Sequence, residues 1–178
     1  MKAEILTMNI VTLMEAHNLT PEAENAFMKA MDFAHRNGAI ELEPQHLLVG
    51  LVQGSDYRIV DFLKRRGITK ENVEFDLGFN YAAPENKRKL RKLQKSLEGY
   101  SQESLVPSQL LDQLLLKADR EARSEAVDPL VNGYVISTLH LLIGMTSVRT
   151  GTSFELLREH GVDRVVMRQY ADVLSSTI

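Results

Sequence analysis

Apolar residues recur along this chain at helical rather than strand spacing, and they do so twice. Ala23, Phe27, Ala30, Met31 and Ala34 fall three or four apart and predict one long amphipathic helix. Thr20 suits its N-cap, Pro21 its first turn and Gly38 its end. Leu110, Leu111, Leu114, Leu115, Ala118 and Ala122 form a second such stripe, with Ser108 close to its start. Three shorter helices are predicted after each stripe. One starts near Pro44 or Thr138, and the next ends at Gly67 or Gly161, each placed as a C′ glycine. The last follows the caps Thr69 or Asp163 and runs through Val73 and Leu77, or through Val166, Tyr170 and Leu174.

The two series are an internal repeat. His46–Ile68 aligns without a gap to His140–Val162, 94 residues on. His46 matches His140, Leu47 and Leu48 match Leu141 and Leu142, and Gly50 matches Gly144. Leu63 then meets Leu157, and Gly67 meets Gly161. Further back, and with gaps, Leu19-Thr20-Pro21 opens the first unit as Leu105-Val106-Pro107 opens the second. Neither unit alone offers much apolar surface to bury, so both are expected to stack into one pseudo-symmetric bundle. The expected organisation is an N-terminal extension (1–18), repeat 1 (19–77), a basic linker (78–104) and repeat 2 (105–178). The fold class is all-α, with two four-helix repeats in one bundle.

Three segments stand outside the repeat. Ile5, Leu6, Ile10, Leu13 and Met14 predict a short amphipathic helix, either capping the bundle or serving as an interaction arm. Lys87, Arg88, Lys89, Arg91, Lys92 and Lys95 share a run with Leu90, Leu93 and Leu97, which predicts a basic helix joining the repeats. Its cations suit a solvated face, a docking face for an acidic partner, or phosphate contacts. Ala126–Ile136 reads as an inserted loop, with turn signals at Asp128-Pro129 and Asn132-Gly133.

Composition narrows the function without naming it. Across 178 residues the net charge is −3, which gives no global attraction to nucleic acid or anionic membrane. The absence of cysteine excludes disulfides, thiolate metal sites and Cys nucleophiles, and is compatible with a reducing cytosol. No apolar stretch approaches the roughly 18 residues of a membrane span. The N-terminal residues contain acids and polar breaks unlike a signal peptide. A soluble, cytoplasmic, monomeric protein is expected. His17, His35, His46, His140 and His160 show no metal-binding spacing, and no G-x-S-x-G elbow or phosphate loop occurs. The expectation is a protein without catalysis, cofactor or metal. His46 and His140, at matching points, suggest packing and hydrogen bonding at a helix start.

The duplicated pattern resembles the Clp N-terminal repeat. Thr20-Pro21-Glu22-Ala23, then Ala34, then Pro44-Gln45-His46-Leu47-Leu48-Val49-Gly50-Leu51 carry it in the first unit, and the second unit is looser. The resemblance implies a recognition module that precedes the AAA+ engines of Clp unfoldases or works as a separate accessory protein. Such modules bind substrate polypeptides, adaptors or Clp subunits and perform no chemistry themselves. No GxxxxGK[ST] segment is present, so this chain is expected to lack the engine. The family subgroup that reads phosphorylated arginine places an acid just before the helix-2 histidine. Gln45 and Leu139 stand there instead, so that ligand does not carry over. Candidate partner contacts are the second-helix entrances, at Gln45 and Thr138, and the basic face of Lys87, Arg88, Arg91 and Lys92. The alternative function is a regulator that binds nucleic acid through that basic segment.

Overall fold

The computed structural model describes residues 9–77, 105–126 and 133–176. The basic linker, expected as a helix, therefore lies outside the described residues, as do the first eight positions and most of the inserted loop. The described parts are almost wholly helical. In chain order they are α1 (Ile10–Ala16), α2 (Pro21–Arg36), α3 (Pro44–Val52), α4 (Tyr57–Arg65) and α5 (Lys70–Asp76). The second series is α6 (Gln109–Glu125), α7 (Thr138–Val148), α8 (Thr152–Glu159) and α9 (Arg164–Ser175). Two-residue strands β1 (Glu41–Leu42) and β2 (Val106–Pro107) precede α3 and α6.

Local chemistry sets the helix ends. The side chains of Thr20, Thr69, Ser108 and Asp163 each accept from the backbone N–H three residues on. At the end of α4 the Gly67 N–H reaches the Lys64 carbonyl and the Ile68 N–H reaches that of Leu63, with Gly67 at φ 77°. Gly161 (φ 69°) and Val162 repeat those bonds at the end of α8. This double bond is the Schellman closure, and a residue without Cβ adopts its left-handed turn at least cost.

The two core helices are α3 and α7. From Leu47 to Val52 and from His140 to Thr146 every residue is buried, so neither helix shows the one-sided stripe of α2 and α6. The glycine shared by the repeats explains how closely they pack. A Cβ on Gly50 would stand 2.1 Å from the Ala26 carbonyl oxygen of α2, and one on Gly144 would stand 2.6 Å from that of Leu114 on α6. Backbone meets backbone at both crossings, and only glycine permits it.

These crossings also revise the repeat alignment. Ala26 and Ala30 face Gly50 just as Leu114 and Ala118 face Gly144, and Thr20 caps α2 as Ser108 caps α6. The first helices thus correspond at an offset of 88, pairing Thr20 with Ser108. Pro107 is not the counterpart of Pro21, because it sits before the cap in β2. The interval from the cap to the second-helix cap is six residues longer in the second unit (Ser108 to Ser137) than in the first (Thr20 to Glu43). That difference accounts for the inserted loop.

The repeats are interlaced rather than merely stacked. The segment before α3 pairs in parallel with the one before α6, Glu41 beside Val106 and Leu42 beside Pro107. The segment before α2 pairs with the one before α7 through Leu19 and Ile136. Equivalent bonds hold both seams, from Ser108 N–H to the Leu42 carbonyl (3.1 Å) and from Thr20 N–H to the Ile136 carbonyl (3.0 Å). Leu19, Leu42, Leu105 and Ile136 are buried there. On the opposite side the ends of α4 and α8 meet. Arg66 donates to the Gly161 carbonyl at 2.8 Å, and His160 Nδ1 donates to the Arg66 carbonyl at 2.8 Å. Finally, α1 lays Ile10 and Leu13 into the core, and the Ile10 N–H bonds the Leu105 carbonyl.

Candidate functional site: the entrances of α3 and α7

The histidine of each repeat occupies the third position of a core helix and reaches back to its cap. Glu43 N–H donates to His46 Nδ1 at 3.0 Å, and Ser137 N–H donates to His140 Nδ1 at 3.0 Å. Ser137 Oγ also accepts from His140 N–H, closing a reciprocal capping box in which histidine replaces the usual Glu or Gln. With Nδ1 accepting, the ring proton sits on Nε2, and His140 gives it to Glu125 at 2.8 Å. His46 is 3% exposed, and burial pushes its pKa down to about 4. It is a neutral structural imidazole at pH 7.

Gln45 is half-buried and its amide bridges the repeats. Its Nε2 donates to Glu43 Oε2 at 2.6 Å, and its Oε1 accepts from the hydroxyl of Thr152 at the start of α8. A carboxylate, that of Glu43, thus stands beside the Gln45 amide. Thr138 lies deeper, 3% exposed, with its hydroxyl donating to Asp56 Oδ2 at 2.5 Å. Asp56 caps α4 by accepting from Arg58 N–H (3.2 Å) and pairs with the Arg58 guanidinium (3.3 Å). Burial raises the Asp56 carboxyl, but the Thr138 hydroxyl and Arg58 outweigh it and leave the pKa below the ordinary range. Leu139, the counterpart of Gln45, packs against the core. The two entrances thus touch the opposite repeat through one polar contact each, and of the two residues Gln45 is the more accessible.

A hollow that the sequence did not announce lies beside the α3 entrance. It measures about 470 Å³ and is lined by Gly38, Ala39, Ile40, Glu41, Glu43 and His46. Ile40 is 60% exposed at its rim. Two carboxylates and an uncovered aliphatic side chain can take an apolar or basic side chain of another polypeptide. The signal in the sequence is only Glu41-Leu42-Glu43 between two helices, which alone reads as a turn. Among the described residues, no group of three or more His, Asp or Glu side chains is arranged to hold a metal ion. Lys87, Arg88, Arg91 and Lys92 lie outside the described residues.

The model of the Clp repeat N-terminal domain family matches residues 18–128, from just before the α2 cap through α6. The chain belongs to that family. As a Clp repeat domain it is a Clp-system module with a general protein-interaction role, and its helical repeats are consistent with that membership. No helix among the described residues is long and apolar enough to cross a membrane.

Proposed function

We propose that this chain is a non-catalytic recognition module of the Clp chaperone–protease system, binding a substrate polypeptide, an adaptor or a Clp subunit. Membership of the Clp repeat family carries the reading. We place one contact region at the α3 entrance, where Gln45 and Glu43 adjoin the hollow rimmed by exposed Ile40. Thr138 acts in this scheme by holding α7 against α4 through Asp56, and the basic residues Lys87, Arg88, Arg91 and Lys92 add a second contact region. A cytoplasmic location belongs to the same proposal.

The test is capture from lysate of the native cell on the immobilised full chain. Clp subunits, their adaptors or their clients should be recovered reproducibly, without turnover of any of them. Recovery of none of these would sink the reading. Gln45→Ala and a charge reversal of the basic run should each weaken capture, and unchanged capture in both would move the contacts elsewhere. Salt-sensitive retardation of DNA or RNA, abolished by that charge reversal, would favour the nucleic-acid alternative.

A further inference from the structure

The chain carries a net charge of −3, yet one concavity of its second repeat is walled by cations. Between α6, the end of α7 and the start of α9 lies a cleft of about 400 Å³, lined by Lys117, Arg120, Glu121, Ser147, Arg149 and Arg164. Its single acid leaves the cleft basic. Glu121 is only 8% exposed, and Arg168 grips its two oxygens at 2.7 and 2.9 Å while Arg164 bonds the same carboxylate. Burial raises this carboxyl, but the hydrogen bonds from Arg168 and Arg164 prevail and keep it ionised, below the ordinary range. One negative charge therefore serves two guanidiniums. Lys117, Arg120 and Arg149 have no acidic partner among the described residues.

The backbone at Arg149 is an independent observation. It ends α7 at φ 58° and ψ 25°, the one non-glycine residue at positive φ among the described residues. A side chain makes that conformation unfavourable, and glycine or asparagine is its usual occupant at a helix end. A long cation thus stands at a strained backbone position on the margin of a basic cleft. Two of the four cations, Arg120 and Arg149, belong to this repeat alone, whereas Lys117 and Arg164 have the cationic counterparts Lys29 and Lys70 in the first. At the equivalent positions of the first repeat, Asp32 stands for Arg120, Phe33 for Glu121 and Ser55 for Arg149. Lys29, the counterpart of Lys117, is spent there on the Gln53 carbonyl.

We propose that this cleft is a docking site for an acidic segment of a partner polypeptide, an inference that rests on the protein-recognition reading and specifies the charge of what is recognised. Cations from three helices spread around the cleft suit several carboxylates along a chain. Its volume also falls within the range that holds ligands larger than one inorganic anion. Water is partly excluded from such a concavity, which strengthens the attraction and makes it sensitive to salt.

The experiment uses the full chain and a fluorescein-labelled octapeptide carrying four Glu or Asp residues, compared with its Gln/Asn isostere by anisotropy. The acidic peptide should bind at least about tenfold more tightly than the isostere and weaken steeply with salt. Arg120→Glu and Arg149→Gly should each reduce its affinity at least about tenfold. Arg149→Gly should at the same time keep or raise the melting temperature, because it relieves the left-handed backbone. Equal binding of the two peptides, no binding of either, or indifference to both substitutions would overturn the proposal. Displacement of the peptide by inorganic phosphate or pyrophosphate at comparable concentrations would reassign the cleft to a small anion. If Arg120→Glu and Arg149→Gly still capture Clp components as well as the native chain does, the cleft assignment falls and the recognition reading stands. Loss of capture by the native chain, with acidic-peptide binding intact, is the reverse case.

Discussion

Gly50 and His46 lie on the same core helix and are required for different reasons. Gly50 is set by distance, because the Ala26 carbonyl oxygen occupies the place a Cβ would take. Gly50→Ala should therefore destabilise by about 2–3 kcal/mol, as overpacking does, despite alanine's better helix propensity. Chemical denaturation would measure it, and Gly144→Ala should behave likewise. His46 is set by desolvation. Its folded pKa lies near 4 against an ordinary 6.5, so between those values the unfolded chain binds the extra proton. The neutral ring's contribution is complete above pH 6.5 and fades as the pH falls towards 4, by about 3 kcal/mol over that range. His46→Gln keeps an acceptor for the cap and removes the titration. Denaturation midpoints of this variant should fall less than those of the native chain between pH 7 and 4.

At the scale of the element, caps and closures were readable from neighbouring residues. Thr20, Thr69, Asp163, Gly67 and Gly161 all do what their positions suggested, since a cap needs only a side chain and an N–H a few residues away. The start of α6 was harder to place. Leu105-Val106-Pro107 looks like Leu19-Thr20-Pro21, yet the cap is Ser108 and Pro107 belongs to β2. A proline suits the first turn of a helix and an edge strand alike, and only the pairing with Leu42 separates the two. Ser108 is buried and its hydroxyl accepts from Leu111 N–H. Ser108→Ala should cost about 1–2 kcal/mol, seen as a lowered denaturation midpoint with an unchanged slope.

For the whole molecule, the interlaced seams govern stability. Each repeat's first helix begins beside the segment that leads into the other's second helix. A chain cut to residues 19–77 would expose buried Leu42 and Leu19 without their partners, so it should show weak helical circular dichroism and no cooperative melt. Mixing it with residues 105–178 should restore both signals, and a cooperative melt of either piece alone would contradict the seam's role. The sequence by itself determined the helical class, the duplication and most helix ends, because periodicity, capping and glycine closure act over a few residues. It also placed His46 and His140 at helix starts, though not as the back-reaching partners of a capping box. Tertiary structure alone decided the rest. It spent Thr138 on Asp56, joined Gln45 to Thr152, and opened the hollow beside Ile40. It also gathered Lys117, Arg120, Arg149 and Arg164 from three helices around buried Glu121. Thr138 and Asp56 lie 82 positions apart, Gln45 and Thr152 107, and Glu121 and Arg164 43, and such meetings depend on how closely helices cross, which no local pattern of apolar and polar residues encodes.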